Sequence, residues 1–152
     1  MPTVFVSDLD GTLLQPNGLI SSKTEAMIRE VLADGALFTV ASARSLFSIR
    51  AILGDIPFEL PVLSFNGGYI SEYATGRHLK VWGITLEVVQ QIRGCLDAHH
   101  LAPFVSTFSD DGDHLYVGQE RSPAMEWFYE ERRRENDTRL QELKDIKFKE
   151  VE

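Results

Sequence analysis

Two carboxylates, Asp8 and Asp10, stand two positions apart at the end of a short apolar run at residues 3–7. A β-branched apolar run that ends this abruptly is typical of a parallel strand buried on both faces. Gly11 follows and can adopt a positive φ, so the two carboxylates need not point in one direction. Paired carboxylates need a compensating cation or proton, and Mg²⁺ prefers hard oxygen ligands. One carboxylate can then attack phosphorus while the other exchanges a proton, whereas the alternative is an acidic strand end that caps the following loop.

A hydroxyl and a guanidinium, Ser42 and Arg44, follow the second apolar run at residues 36–41. They stand at the start of a helical pattern, where free backbone N–H groups and the helix dipole favour an anion. This placement favours phosphate contact by Ser42 and leaves the role of Arg44 open. Capping of the helix by Ser42 or Ser45 is the alternative.

Three short apolar runs separated by helical patterns predict the strand–helix order of a parallel α/β sheet. Asn66 and Gly67 follow the third run. All three runs therefore deliver polar or glycine-rich loops to the sheet edge at which α/β proteins bind ligands. The runs and helical patterns, in chain order, cover residues 3–7, 22–34, 36–41, 46–53 and 61–65.

The first helical pattern begins at Ser22, which has capping-box spacing to Glu25. Its apolar residues recur at the spacing of one helix face. We expect this face, formed by Met27, Ile28, Val31 and Leu32, to pack on the sheet.

The sequence pattern changes after residue 68, where it predicts hairpins that alternate with helices. We predict a core region at 1–68 and a second module at 69–152. The predicted elements of that module are a hairpin at 69–84, a helix at 86–96, a hairpin at 104–117, helices at 122–135 and 137–144, and a strand at 146–151.

Length and composition exclude several classes of protein. The 152 residues carry 15 Lys and Arg against 23 Asp and Glu, a net charge of −8, which argues against nucleic-acid and anionic-membrane partners. Cys95 is the single cysteine, so an intrachain disulfide is excluded. No window approaches the ~18 apolar residues of a membrane span, and the first ten residues lack a secretory pattern. We expect a cytoplasmic protein.

The run ending in Asp8-Leu9-Asp10-Gly11-Thr12 resembles the first signature of the haloacid dehalogenase-like hydrolase superfamily, specifically its Cof-type phosphatases. The resemblance implies a Rossmann-like parallel core with an inserted α/β cap. It also implies that Asp8 is the nucleophile that forms an aspartyl-phosphate and a ligand of Mg²⁺. Asp10 is implied as the general acid and base, with its backbone carbonyl on the same Mg²⁺.

The same resemblance implies phosphate binding by the two loops that follow the first and second strands. Ala43 stands where the family usually has glycine, which predicts a different loop conformation if that position needs a positive φ. Asn66 and Gly67 match a family turn on the substrate side. The implied phosphate-binding residues are Leu9, Gly11, Thr12, Ser42, Ala43 and Arg44.

Two further family signatures, a lysine and a second acidic metal-binding motif, have no match in the 152 residues. Lys144, Lys147 and Lys149 lie in the expected cap, and the acidic stretch 109–113 has the composition of a hairpin turn. We therefore expect a partial core, an incomplete cap and a weakly active chain. The strand at residues 4–6 would then expose an apolar edge, and we expect something outside the usual core to cover it.

The sequence thus predicts a Mg²⁺-dependent phosphohydrolase that acts on a small phosphate monoester, such as a sugar phosphate or a related metabolite. The alternative is a non-catalytic domain that binds a cation or a phosphorylated ligand, or that forms a homodimer through the open sheet edge. Phosphate binding without turnover, together with a stable dimer, would favour this alternative.

Overall fold

The computed structural model describes residues 2–109, 112–118 and 121–143. The chain divides into two compact units, Met1–Gly83 and Ile84–Glu152. The elements of the first unit are β1 (Val4–Ser7), α1 (Ser22–Ala33), β2 (Leu37–Val40), α2 (Leu46–Leu53), β3 (Val62–Ser64), β4 (Tyr69–Ser71) and β5 (His78–Val81). The described elements of the second unit are α3 (Leu86–Ala98), β6 (Phe104–Ser109), β7 (Gly112–Val117), α4 (Pro123–Arg134) and β8 (Leu140–Glu142).

A parallel sheet brings the three predicted strand ends to one edge. β1 and β2 pair in parallel, and Ser7 lies opposite Val40. One residue further on, Ala41 forms a parallel bridge with Leu63 of β3. The predicted α/β class and the order β1, α1, β2, α2, β3 are confirmed.

Serine side chains begin the two helices of the first unit. Ser21 Oγ accepts the Thr24 N–H at 3.0 Å, so the helix cap lies one residue before the predicted Ser22. Ser21 has the extended backbone that an N-cap requires, whereas Ser22 is already helical. Ser45 Oγ caps α2 by accepting the Ser48 N–H at 3.2 Å.

The core of the first unit lies between the sheet and its helices. Its members come from the loop after β1, from α1, β2 and α2, from the loop after α2, from β3 and from the loop after β4. Burial of each large apolar side chain contributes about 1.5–3 kcal/mol of transfer free energy. The buried apolar residues of this cluster are Leu9, Leu14, Ile28, Val40, Leu46, Ile49, Leu53, Ile56, Phe58, Val62 and Tyr73.

The outer edge of this sheet is open. In the described part of the chain β1 pairs with β2 alone, and residues 4–6 are each 50–55% exposed. Met27 and Val31 of α1 are also exposed, although the sequence pattern predicts that they pack on the sheet. They are exposed because β1 is the last described strand on this side and the sheet beneath them ends there. Residues 4–6 are therefore not covered within a single chain, and cover from outside the usual core stays a prediction.

An antiparallel hairpin extends the first unit beyond β3. β4 pairs with β3 and β5 pairs with β4, as predicted for the hairpin at 69–84. Tyr73 follows β4 and is 5% exposed, and its ring meets Phe58 edge-on with the centroids 5.0 Å apart. The Tyr73 O–H donates to the Gly54 carbonyl at 2.6 Å, and burial raises the pKa of Tyr73 to about 12.

We expect Tyr73→Phe to lower the free energy of unfolding by about 1 kcal/mol at neutral pH, because the Gly54 carbonyl loses its buried donor. The folded pKa lies above the value of about 10 in the unfolded chain, so this stabilisation is complete below about pH 10 and falls as the pH rises through about 12. Urea denaturation of both proteins at a series of alkaline pH values measures the difference. A difference that stays constant up to about pH 12 would contradict the expectation.

The second unit contains a hairpin to which a third strand is added. β6 and β7 pair antiparallel as predicted, and β8 pairs with β7 in parallel. The helix predicted at 137–144 is wrong over the described residues, which form a turn and then β8. The buried Asp137 and Arg139 explain this turn, because the guanidinium grips the carboxylate at 2.8 and 2.6 Å across only two positions. The strand predicted at 146–151 lies outside the described residues.

Helices long and apolar enough to cross a bilayer are not found among the residues that the structure describes.

Candidate active site

The loop after β1 turns one side chain inward and two outward. Leu9 is completely buried, whereas Asp8 and Asp10 on either side of it are exposed. The Leu14 N–H donates to the Leu9 carbonyl at 2.9 Å and closes the loop, and Gly11 takes the left-handed conformation with φ 74°. The burial of Leu9 therefore presents both carboxylates outside the core at the end of β1.

Local hydrogen bonds hold the first carboxylate. The Leu9 N–H donates to Asp8 Oδ1 at 2.6 Å, and the Ser7 hydroxyl donates to the Asp8 carbonyl at 2.9 Å. Only one Asp8 oxygen takes part in this contact, so the carboxylate still faces solvent. Gly11 and Thr12, also predicted as phosphate contacts, are exposed beside it.

The loop after β2 is joined to the ends of both neighbouring strands. The Ala41 N–H donates to the Ser7 carbonyl at 2.9 Å, and the Ser42 N–H donates to the Leu63 carbonyl at 3.0 Å. Ser42 is 5% exposed, and its Oγ accepts the Arg44 N–H at 3.2 Å. The predicted Ser42 site therefore stands at the same sheet edge as the Asp8 loop.

The replacement of the usual glycine by Ala43 does not strain this loop. Four non-glycine residues among those described have a positive φ, and Ala43 is not one of them. Ala43 is exposed. The position therefore accepts alanine without the steric penalty of the left-handed region.

A two-point ion pair joins the loops after β1 and β2. Arg44 Nε donates to Asp10 Oδ2 and Arg44 Nη2 donates to Asp10 Oδ1, both at 2.8 Å. These hydrogen bonds from Arg44, more than its charge alone, lower the pKa of the Asp10 carboxyl against a weaker opposing effect of desolvation. The ionised form of Asp10 is thus favoured. The sequence predicts both residues in the site but does not predict that they pair.

A left-handed turn follows β3 at the same edge. Phe65, Asn66 and Gly67 have φ values of 51°, 55° and 88°. The Asn66 N–H donates to the Ser42 carbonyl at 3.0 Å, and the Phe65 N–H donates to the Arg44 carbonyl at 3.1 Å. This strained turn therefore holds the Ser42 loop by its backbone, while the Asn66 side chain is exposed.

The donor set of this edge suits a hydrated Mg²⁺. Asp8 offers a free carboxylate oxygen and Asp10 offers its backbone carbonyl, whereas both Asp10 carboxylate oxygens accept from Arg44. Mg²⁺ commonly takes one or two protein carboxylates with waters and substrate phosphate. Within residues 2–109, 112–118 and 121–143, no three metal-ligating side chains converge. Asp110, Asp111 and the three lysines after residue 143 lie outside the described residues.

The arrangement of two acidic residues after β1, a buried serine after β2 and a bonded turn after β3 matches a known family in sequence as well. A sequence model of haloacid dehalogenase-like hydrolases matches residues 5–152. The chain belongs to the haloacid dehalogenase-like hydrolase family. The Cof-type resemblance is confirmed.

Relatives and solved structures agree with this family. A 5-amino-6-(5-phospho-D-ribitylamino)uracil phosphatase from Bacillus subtilis is 35% identical over 65 residues, which are 43% of this chain and 22% of that protein. A second Bacillus subtilis phosphatase named for the same activity is 25% identical over 113 residues, 72% of this chain and 41% of that protein. The chain thus spans less than half the length of these curated relatives.

This chain is similar in fold to a haloacid dehalogenase-like hydrolase from Bacteroides thetaiotaomicron. The two share a TM-score of 0.70 and 20% identity over 99% of this chain and 56% of the other. At this identity the likeness shows the fold alone.

Proposed function

We propose that this chain belongs to a Mg²⁺-dependent phosphohydrolase that cleaves small phosphate monoesters through an aspartyl-phosphate. The observation that carries the proposal is the placement of Asp8 and Asp10 outside the core at the end of β1, beside the loop of Ser42. Because buried Leu9 holds the loop, the exposed Asp8 and Asp10 can contact a substrate without a change in the fold.

In the first step a carboxylate oxygen of Asp8 attacks phosphorus. The new Asp8 Oδ–P bond forms, the ester P–O bond breaks, and the leaving oxygen takes a proton from Asp10. In the second step a water oxygen attacks the same phosphorus, the Asp8 Oδ–P bond breaks, and the water proton passes to Asp10. Arg44 lowers the pKa of Asp10 by hydrogen bonding and so favours its ionised form, which is the form that can accept that proton.

Positioning and neutralisation of charge supply most of the rate acceleration in phosphoryl transfer. Bound Mg²⁺ would supply positive charge next to the phosphoryl oxygens, held by the Asp8 carboxylate and the Asp10 backbone carbonyl. The Ser42 hydroxyl and the backbone N–H groups of residues 11, 12 and 43 are the proposed donors to the phosphoryl oxygens, since the Leu9 and Arg44 N–H groups already donate to Asp8 Oδ1 and Ser42 Oγ.

The proposed substrate is a sugar phosphate or a related phosphorylated metabolite. Two relatives are named as phosphatases of a phosphorylated ribitylamino-uracil, which is a compound of this class. The exposed Asn66 side chain and the adjoining Gly67 are proposed to lie on the substrate side. The net charge of −8 argues against nucleic acid and anionic membrane surfaces as partners.

Release of inorganic phosphate with and without metal tests the proposal. We expect the 152-residue chain to hydrolyse p-nitrophenyl phosphate and ribose 5-phosphate slowly in Mg²⁺, and we expect EDTA to abolish the release until Mg²⁺ is restored. The turnover is expected to be slow because the lysine and the second acidic signature of the family are absent from the sequence. Hydrolysis that is unchanged in EDTA would contradict metal dependence.

A second candidate function is a non-catalytic domain that binds a cation or a phosphorylated ligand, or that dimerises through β1. The half-exposed residues 4–6 on an unpaired edge favour it, since such edges tend to pair with another chain. Light scattering at several protein concentrations, together with calorimetric titration of tungstate, tests this candidate. A dimer that binds tungstate in Mg²⁺ without releasing phosphate from any monoester would favour this function over hydrolysis.

A further inference from the structure

The carboxylate of Asp10, the second acidic residue of the site, is held by Arg44 from the loop after β2. Asp10 is 54% exposed at its side chain, so nothing in the core restricts its carboxylate. Arg44 contacts both of its oxygens, each at 2.8 Å. A two-point contact sets the plane of a carboxylate as well as its position, which a single charge does not.

Arg44 is in turn held at several points. Its Nη1 donates to Ser48 Oγ at 3.3 Å, and Ser48 is buried on the first turns of α2. Its N–H donates to Ser42 Oγ, and its carbonyl accepts the Phe65 N–H. The side chain of Arg44 is only 28% exposed. The orientation of the guanidinium is therefore set by the loop after β2, by α2 and by the turn after β3.

This geometry also limits what else Arg44 can bind. A phosphoryl group is gripped at two points by the same Nε and Nη2 edge that a carboxylate uses. In this structure that edge faces Asp10. Phosphate binding by Arg44, implied by the family resemblance, would have to break this pair.

We propose that Arg44 is a positioning residue that orients the Asp10 carboxylate toward the water that hydrolyses the aspartyl-phosphate, and that it is not a ligand of the phosphoryl group. This inference rests on the proposed function. In that step the water oxygen bonds to phosphorus, the Asp8 Oδ–P bond breaks, and Asp10 receives the water proton.

The two roles predict opposite behaviour of the covalent intermediate. A residue that orients the base affects the decay of the phosphoryl-enzyme, so its loss makes the intermediate accumulate. A residue that binds the phosphoryl group affects its formation, so its loss makes the intermediate scarcer. A good leaving group such as p-nitrophenolate needs no proton when it departs. With p-nitrophenyl phosphate, formation of the phosphoryl-enzyme therefore does not depend on Asp10, and a change in the orientation of Asp10 affects only the second step.

The test is single-turnover phosphorylation of the 152-residue chain with p-nitrophenyl phosphate and Mg²⁺, followed by intact mass after acid quench. Arg44→Lys keeps the charge but loses the two-point contact, and Arg44→Ala leaves a space that free guanidinium can fill. Arg50→Lys is the matched control, because Arg50 is exposed on α2 and donates to the Ala74 carbonyl instead. The affinity for tungstate, a phosphate analogue, and the thermal midpoint are measured for every variant.

We expect both Arg44 variants to form the phosphoryl-enzyme at the wild-type rate and to lose it about 10–100-fold more slowly, as for partial loss of a general base. Guanidinium should restore fast decay to Arg44→Ala, and Arg50→Lys should match wild type. Tungstate affinity should change less than about twofold.

Weaker tungstate binding with slower formation and no accumulation would overturn the inference and make Arg44 a phosphate ligand. Equal slowing of both steps with a lower thermal midpoint and no guanidinium rescue would overturn it in favour of a merely structural role. Failure of the wild-type chain to form any phosphoryl-enzyme would overturn the proposed function itself, and this inference with it.

Discussion

We expect Asp8→Asn to abolish phosphate release and formation of the covalent intermediate. The amide oxygen of asparagine is a poor nucleophile and carries no negative charge for Mg²⁺, while the side chain keeps the same size. We expect the rate of phosphate release to fall at least about a thousand-fold, to the uncatalysed background. Phosphate release in Mg²⁺, followed until a full turnover of wild type is complete, measures the loss.

The fold should be unaffected, because the Asp8 side chain is exposed and its Oδ1 contact with the Leu9 N–H can be made by an amide oxygen. Asp34→Asn is the matched control. Asp34 is an exposed carboxylate at the end of α1, away from the strand ends that form the site. Asp8→Asn activity within about tenfold of wild type would exclude Asp8 as the nucleophile.

Leu9→Ala gives the largest expected loss of stability. Leu9 is completely buried between the two exposed acidic residues, so its truncation leaves a cavity beneath the loop that presents them. We expect the free energy of unfolding to fall by about 2–5 kcal/mol. The same change should loosen Asp8 and Asp10, so the activity of the remaining folded protein should also fall.

Urea denaturation followed by circular dichroism measures this change. Leu9→Met is the control, since it keeps nearly the same volume and is expected to cost less than about 1.5 kcal/mol. Equal midpoints and slopes for Leu9→Ala and wild type would show that Leu9 does not anchor the loop.

The sheet of the first unit was predictable because its signals are local. Each parallel strand is a short apolar run that ends at a polar residue, and each run lies where the pattern placed it. Details that depend on neighbours were not predictable. Met27 and Val31 fit a helix face, but the sheet beneath them ends at β1 and leaves them exposed.

In the second unit, a buried ion pair forms where the local sequence pattern predicts a helix. Residues 137–143 have helical spacing, yet Asp137 and Arg139 pair at two points inside a turn. This contact holds the turn that leads into β8, which then pairs with β7. The spacing of apolar residues does not reveal such an ion pair, because the pair forms only when both side chains are buried together.

The residues of the candidate site were easier to predict from the sequence than the contacts between them. Asp8, Asp10 and Ser42 are marked by their positions at strand ends, and the sheet brings those ends together. The pair of Asp10 with Arg44 spans 34 positions, and the hydrogen bond from Arg44 to Ser48 depends on the rotamer of the arginine. A helical spacing of four between Arg44 and Ser48 was the available sequence signal.

The most direct test of the central claim is to locate the phosphoryl group on the chain. The 152-residue protein is phosphorylated with p-nitrophenyl phosphate in Mg²⁺, quenched in acid, digested and sequenced by mass spectrometry. We expect one added phosphoryl group, on Asp8, that hydroxylamine removes as it does other acyl phosphates. A phosphoryl group on Ser42, or on Asp10 with Asp8 unmodified, would contradict it.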